Sequence, residues 1–346
     1  MKLFSCPVCG QRLYFENSKC LACGSSVLYD PLAVAFVQSE SGAFACHNAE
    51  DALCNWRATG EGGYCLACRL NKTIPDMSIA GNQERWIRVE AAKRRMIYAL
   101  LSFGLLVEPK VAPGDENGIA FDFLADPSGG GPGGERILTG HDNGVITLNV
   151  AEADSAEREK MRVEMGETYR TLLGHFRHEI GHYYWDRLIR DDRNWLGQFR
   201  GRFGDETADY EQALKNHYAN PPSPTWQQEH ITAYAASHPW EDWAETWAHY
   251  LHIVDTLEMA DALHMPIDAL EDEAEDLHSP HSDAKVKRHT FDRTLERWIV
   301  LSNATNSINR CMGLPDLYPF VISGKVADKL AFIDDLLADK GLRPQP

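Results

Sequence analysis

The spacing of apolar residues changes character along this chain of 346 residues. Up to about residue 70 there is little of the three-and-four spacing that marks an amphipathic helix. Cys and Gly are frequent there instead. From Asn82, the stretch QERWIRVEAAKRRMIYALLSFGLL has helical spacing, which predicts a helix that ends near Pro109. GIAFDFLAD (118–126) suggests a short strand, and the alternation in VITLNV (145–150) predicts another. Helical spacing returns from Glu157 to Arg190, with a break expected at Gly166. It is seen again in WEDWAETWAHYLHIVDTLEMADAL, in DRTLERWIVLSNATNSINRCMG and in SGKVADKLAFIDDLLADKG. Between these lie PSGGGPGG (127–134) and NHYANPPSPT (216–225), read as loops, and the acidic DALEDEAEDLHSPHSDA (268–284), read as solvated surface. NKTIPDMS (71–78) reads as a connection. The expected organisation is α+β: small β-rich modules over 1–72, a linker over 73–81, and a mainly helical domain with a small sheet over 82–346.

Composition narrows the functions. The 34 Lys and Arg against 51 Asp and Glu leave a net charge of −17. That argues against nucleic acid as a partner, which calls for a basic face, and against docking on anionic membranes. The longest apolar run, IYALLSFGLLV (97–107), is too short to span a bilayer and is expected to be a buried helix. No apolar leader precedes the first cysteines, so a soluble, cytoplasmic chain is expected.

Eight of the nine cysteines precede residue 70, and Cys311 stands alone. Cys6-x2-Cys9-Gly and Cys20-x2-Cys23-Gly form two knuckles that can present four thiolates tetrahedrally to Zn2+. Gly10 and Gly24 let the chain fold back and aim its N–H groups at the sulfurs. Cys46, Cys54, Cys65 and Cys68 form a second set, less regular in spacing, in which His47 could replace one ligand. Four cysteines close a coordination sphere, so both zinc ions are expected to be structural.

His178-Glu179-Ile180-Gly181-His182 is HExxH. On a helix, His178 and His182 lie one turn apart on one face and can grip one metal, while Glu179 can reach a water beside it. Leu172, Leu173, Phe176 and Ile180 supply an apolar stripe for that helix. His175 shares the face of the ligands one turn earlier, where it either extends the ligand set or, as the preferred reading, supports it from behind or packs in the core. A catalytic zinc takes three protein ligands and keeps one position open. The continuation HExxHxxGxxH is absent, because Trp185 and Leu188 occupy its last two landmarks. The third ligand is therefore sought in YAASHPWEDWAETWAHYLH (234–252), where Pro239 suits a helix start. Trp240, Trp243 and Trp247 form a core stripe there, and Glu241 and Glu245 another. Chemistry alone leaves both glutamates open.

HExxH followed by Tyr-x6-Glu-x3-Glu resembles the lethal-factor-type gluzincin metallopeptidases. The resemblance implies Glu241 as the third zinc ligand, Tyr234 as the group that stabilises the oxyanion, and Glu245 as a support behind the ligands. CPVCG, CLACG, CNW, CLACRLN, LTGHDNG, GHFRHEIGHYYWD and HPWEDWAETWAHYLH, in that order, resemble a family of bacterial zinc-ribbon-containing zinc-binding metallopeptidases over most of the chain. It implies tandem zinc ribbons followed by a zincin-like domain.

These readings converge on a zinc metallohydrolase, a peptidase first, with one catalytic and two structural zinc ions and with Glu179 as general base and then acid. A peptide or protein is the expected substrate, and the strand 145–150 is expected to offer it an edge. The ribbons are expected to hold a protein partner or shape the cleft. The alternatives are a non-enzymatic adaptor with a structural HExxH zinc, and a hydrolase of a non-peptide amide.

Overall fold

The computed structural model describes residues 1–39, 42–112, 114–126, 137, 139–267 and 290–342. The stretches 127–134 and 268–284, read above as loop and acidic surface, lie outside the described residues. The architecture is α+β: small antiparallel sheets carry the cysteines, and a mainly helical portion with one small sheet follows. By contacts the chain forms two compact units, one built on Met1–Met161 and Thr171–Tyr183, the other on Arg162–Arg170 and Tyr184–Arg343.

In the first unit, β1 (Phe4–Ser5) pairs antiparallel with β2 (Arg12–Leu13), and β3 (Val27–Asp30) with β4 (Ala35–Gln38). These two-stranded sheets are too small to bury a core by themselves. Their aromatic residues solve this collectively. Phe4, Phe15, Tyr29, Phe36 and Trp56 are buried and meet largely edge to face, and Tyr98 of helix α1 (Asn82–Ser102) closes the cluster. The cysteine modules thus pack directly on α1.

A four-stranded sheet follows, in the order β5 (Asn71–Thr73), β6 (Ala120–Leu124), β8 (Val145–Asn149), β7 (Gly140–Asp142). The first three strands are parallel, and β7 turns back antiparallel. Asn143 and Gly144, both at positive φ, make the tight turn between β7 and β8. Two readings are corrected here. β5 begins the segment read as a connection, because its backbone completes one side of β6. The strand at 145–150 has no free edge, because β6 and β7 flank it; the outer edge on that side belongs to β7. Helix α2 (Ser155–Glu164) follows, and Gly166 (φ 68°) marks the expected break.

Helix α3 (Leu172–Leu188) starts where the Thr171 hydroxyl accepts the Gly174 N–H. Its Phe176 packs edge-on to Phe121 and Phe123, neighbours two apart on one face of β6. This contact fixes which side of α3 faces the sheet.

The second unit is helical: α4 (Arg193–Phe203), α5 (Tyr210–Ala219), α6 (Pro239–Ala262), α7 (Thr290–Cys311) and α8 (Gly324–Asp339). Residues 216–219, read as loop, are the last turn of α5, and the loop begins at Asn220. Asp192, Asp209, His238 and Ser323 each accept an N–H of the first turn of α4, α5, α6 and α8. Trp243 and Trp247 of α6 are fully buried against Phe199, Phe203, Phe332 and Tyr184, whereas Trp240 is only half-buried. The Lys329 ammonium meets the buried Asp242 carboxylate at 2.6 Å, joining α8 to the first turn of α6. Among the described residues, no helix is long and apolar enough to cross a membrane.

Candidate metal centres

The knuckle Cys6-Pro-Val-Cys9 turns back through Gly10 (φ 73°), and Cys20-Leu-Ala-Cys23 through Gly24 (φ 77°). The Val8 N–H donates to Cys6 Sγ, as the knuckle geometry leads one to expect. Cys6 Sγ lies 3.7 Å from Cys23 Sγ, and Cys9 Sγ 3.6 Å from Cys20 Sγ. Tetrahedral Zn–S bonds of ~2.3 Å place sulfurs ~3.8 Å apart, so the cluster has the dimensions of a four-cysteine zinc site.

Cys46, Cys54, Cys65 and Cys68 form a second, wholly buried cluster. Cys54 Sγ lies 3.6 Å from Cys65 Sγ and 3.7 Å from Cys68 Sγ. The Cys65 and Cys68 N–H groups donate to Cys46 Sγ and Cys65 Sγ. His47 is not in this cluster: it is exposed, with its ring against Tyr64. Beneath the cluster lies a network whose Glu90 and Lys93 side chains are wholly buried. Lys93 Nζ meets Glu90 Oε1 at 2.8 Å, Asn71 donates to the same oxygen, and Glu90 Oε2 lies 3.7 Å from Cys68 Sγ. Burial pushes the Glu90 carboxyl above its usual range, and the Lys93 charge opposes that rise.

The third group lies on helices. His178, Glu179 and His182 are all buried on α3, and the two imidazoles meet edge to face with centroids 4.9 Å apart. Glu241 sits in the first turn of α6 and is 1% exposed. One ligand atom each from His178, His182 and Glu241 lie within 4.8 Å of one another. Two imidazoles and one carboxylate are the donor set of an open zinc site, with room for a fourth ligand. Glu245, one turn further along α6, accepts a hydrogen bond from the Thr232 hydroxyl at 2.7 Å. Tyr234 is half-buried, with its ring edge-on to His217 of α5.

A family model described as "Putative zinc-binding metallo-peptidase" matches residues 82–336, and a zinc-ribbon model matches residues 3–79. The chain belongs to this metallo-peptidase family. An uncharacterized protein of Mycobacterium bovis and uncharacterized proteins of two strains of Mycobacterium tuberculosis are each 42% identical to it over 339 residues. The match covers 96% of this chain and 94% of each of theirs. No solved structure matches.

Within this member of the family, three side chains take places that spacing alone did not assign. His175 Nδ1 lies 2.7 Å from Glu152 Oε2, and Thr139 donates to the other oxygen of Glu152 at 2.5 Å. His175 thus holds Glu152, which in turn holds Thr139 at the entry to β7, and is not grouped with the ligand atoms. His141, on β7, stacks nearly parallel to His182 at 6.2 Å and accepts the Gly144 N–H at Nε2. Burial, and then the neighbouring His182, push its pKa down to about 3, so it is neutral at physiological pH. The signal was in LTGHDNG: a histidine ahead of an Asn-Gly turn lies on a hairpin strand. Tyr210, at the start of α5, donates its hydroxyl to Glu241 Oε1 at 2.5 Å. No sequence pattern marked it.

Proposed function

We propose that this chain is a zinc-dependent metallohydrolase acting on peptide bonds. The observation that carries the reading is the donor set of His178, His182 and Glu241, gathered within 4.8 Å with Glu179 buried on the same helix as the histidines. A zinc ion with three protein ligands supplies an acidified water and polarises a carbonyl. The rest falls to the chain. Glu179 takes the proton from the attacking water and returns it to the leaving amine. Tyr234, by its likeness to the lethal-factor-type gluzincins, donates to the oxyanion of the tetrahedral intermediate. Glu245, held by Thr232, supports the ligand set from behind. The outer edge of β7, whose His141 stacks on His182, is where an extended peptide pairs by strand addition. The two four-cysteine clusters hold structural zinc, since their coordination spheres are closed.

Glu179→Gln keeps the shape of the side chain and removes the base. Zinc content, measured by mass spectrometry, is expected to stay at the level of the parent, while peptide hydrolysis falls roughly 10²–10⁴-fold. Full hydrolysis by the Glu179→Gln variant would end the assignment of the base. Unchanged biological activity with no hydrolysis by either protein would favour an adaptor whose HExxH zinc is structural.

A further inference from the structure

We infer that Tyr210 is a positioning residue for Glu241, holding the carboxylate in the orientation that ligates zinc; the inference rests on the ligand reading above. Its hydroxyl donates to Glu241 Oε1 at 2.5 Å, on a side chain that is almost completely buried. A carboxylate that gives one oxygen to a metal can still pivot about its last carbon–carbon bond. A donor on the second oxygen removes that freedom and keeps the first oxygen aimed. Glu241 also lies in the first turn of α6, where the helix dipole favours its anionic form. The Tyr210 hydrogen bond is thus of the stronger, charge-assisted kind.

The chain leading to Tyr210 is strapped along that same first turn. At Gly204 (φ 108°), a Cβ would stand 3.1 Å from Pro239 Cγ. His238 caps α6 by accepting the Trp240 N–H at Nδ1, and its Nε2 lies 3.2 Å from the Ala208 carbonyl oxygen. The Tyr210 ring then sits edge-on to His238 at 5.2 Å and to Trp240 at 6.1 Å. These contacts deliver one hydroxyl to one oxygen. Tyr210 is 36% exposed, and α5 has no buried residue, so the helix gains little by apolar burial. What Tyr210 contributes lies at its polar end.

The test is a double-mutant cycle in the full chain, read as affinity for Zn2+ in buffers that fix free zinc from picomolar to micromolar, with bound zinc counted by mass spectrometry. Tyr210→Phe is expected to weaken the least tightly bound zinc roughly 10–100-fold and to leave the zinc of the eight cysteines in place. Glu241→Gln is expected to weaken that same zinc, and adding Tyr210→Phe to it is expected to change little more, because the hydroxyl acts through the carboxylate. Wild-type affinity in Tyr210→Phe overturns the inference, as does an undiminished further loss in the double variant, or a loss shared by all the zinc. Glu241→Gln without effect on any zinc would instead overturn the ligand reading itself, so the two failures are distinguishable.

Discussion

His249 is an imidazole of α6 that the structure uses for packing. It is enclosed by Tyr318, Phe320 and His252, with the Tyr318 hydroxyl 2.8 Å from Nδ1 and Glu245 one turn away. Burial depresses its pKa to about 4, and the nearby Glu245 charge only partly opposes this. The sign of the linkage follows. Above about pH 6.5, the ordinary value, His249 is neutral whether the chain is folded or not, and it costs nothing. Between about 6.5 and 4 the unfolded chain takes up a proton that the folded chain refuses, so stability falls as pH falls. His249→Phe is expected to lose less stability than the parent between pH 7.5 and 5.0 in urea unfolding; equal losses would show that His249 titrates freely. Residue identity and spacing were enough to pair His178 with His182, which the structure groups with Glu241. They were not enough for His175 or His141, whose partners Glu152 and His182 lie 23 and 41 positions away along the chain. Tyr210 is harder still, because a lone tyrosine at a helix start carries no periodic signal.

Most helices that bury a stripe were legible; α5, which buries none, was missed, and so was α4 although it buries Trp195, Phe199 and Phe203. α6 announces itself through Trp243 and Trp247, while α5 buries nothing and its last turn looked like loop. α4 carries Gly197 and Gly201 in its interior, both facing open space, which weakens its pattern. β5 is three residues long, and its pairing with β6 spans a gap no local pattern reveals. That strand supports a second expectation. Asn71, at its start, hydrogen-bonds to the Glu90 carboxylate and the Lys93 ammonium of α1. Lys93 also lies over the rings of Phe121 and Phe123. Lys93→Met leaves the Glu90 carboxylate buried beside Cys68 without its nearest cation. Removing one partner of a buried ion pair costs about 3–5 kcal/mol. Adding Glu90→Gln is expected to restore much of that loss. A Lys93→Met chain whose urea midpoint matches the parent would show that the pair is not a working contact.

At the scale of the whole molecule, the three ligand clusters found among the described residues predict three zinc ions per chain after purification. Mass spectrometry of the intact protein under native conditions reads the number directly, and two would remove one cluster from the account. A strong chelator should take the His178–His182–Glu241 zinc before the buried Cys46–Cys68 set, since thiolates hold zinc as soft ligands. The match with the relatives covers 96% of this chain, so it takes in both the stretch of the cysteine modules and the HExxH portion. The structure gives one reason for this companionship. β5 comes from residues 71–73, upstream of the span 82–336 matched by the metallo-peptidase model. A fragment begun at residue 82 would lack the outer strand of its own sheet. It would show an open row of amides and carbonyls along β6, a surface on which other copies can stack. It would also abandon Glu90 and Lys93 in a half-built cavity. Anyone seeking the smallest fragment with activity should therefore expect inclusion bodies from that truncation, and should keep the cysteine modules as part of the foundation.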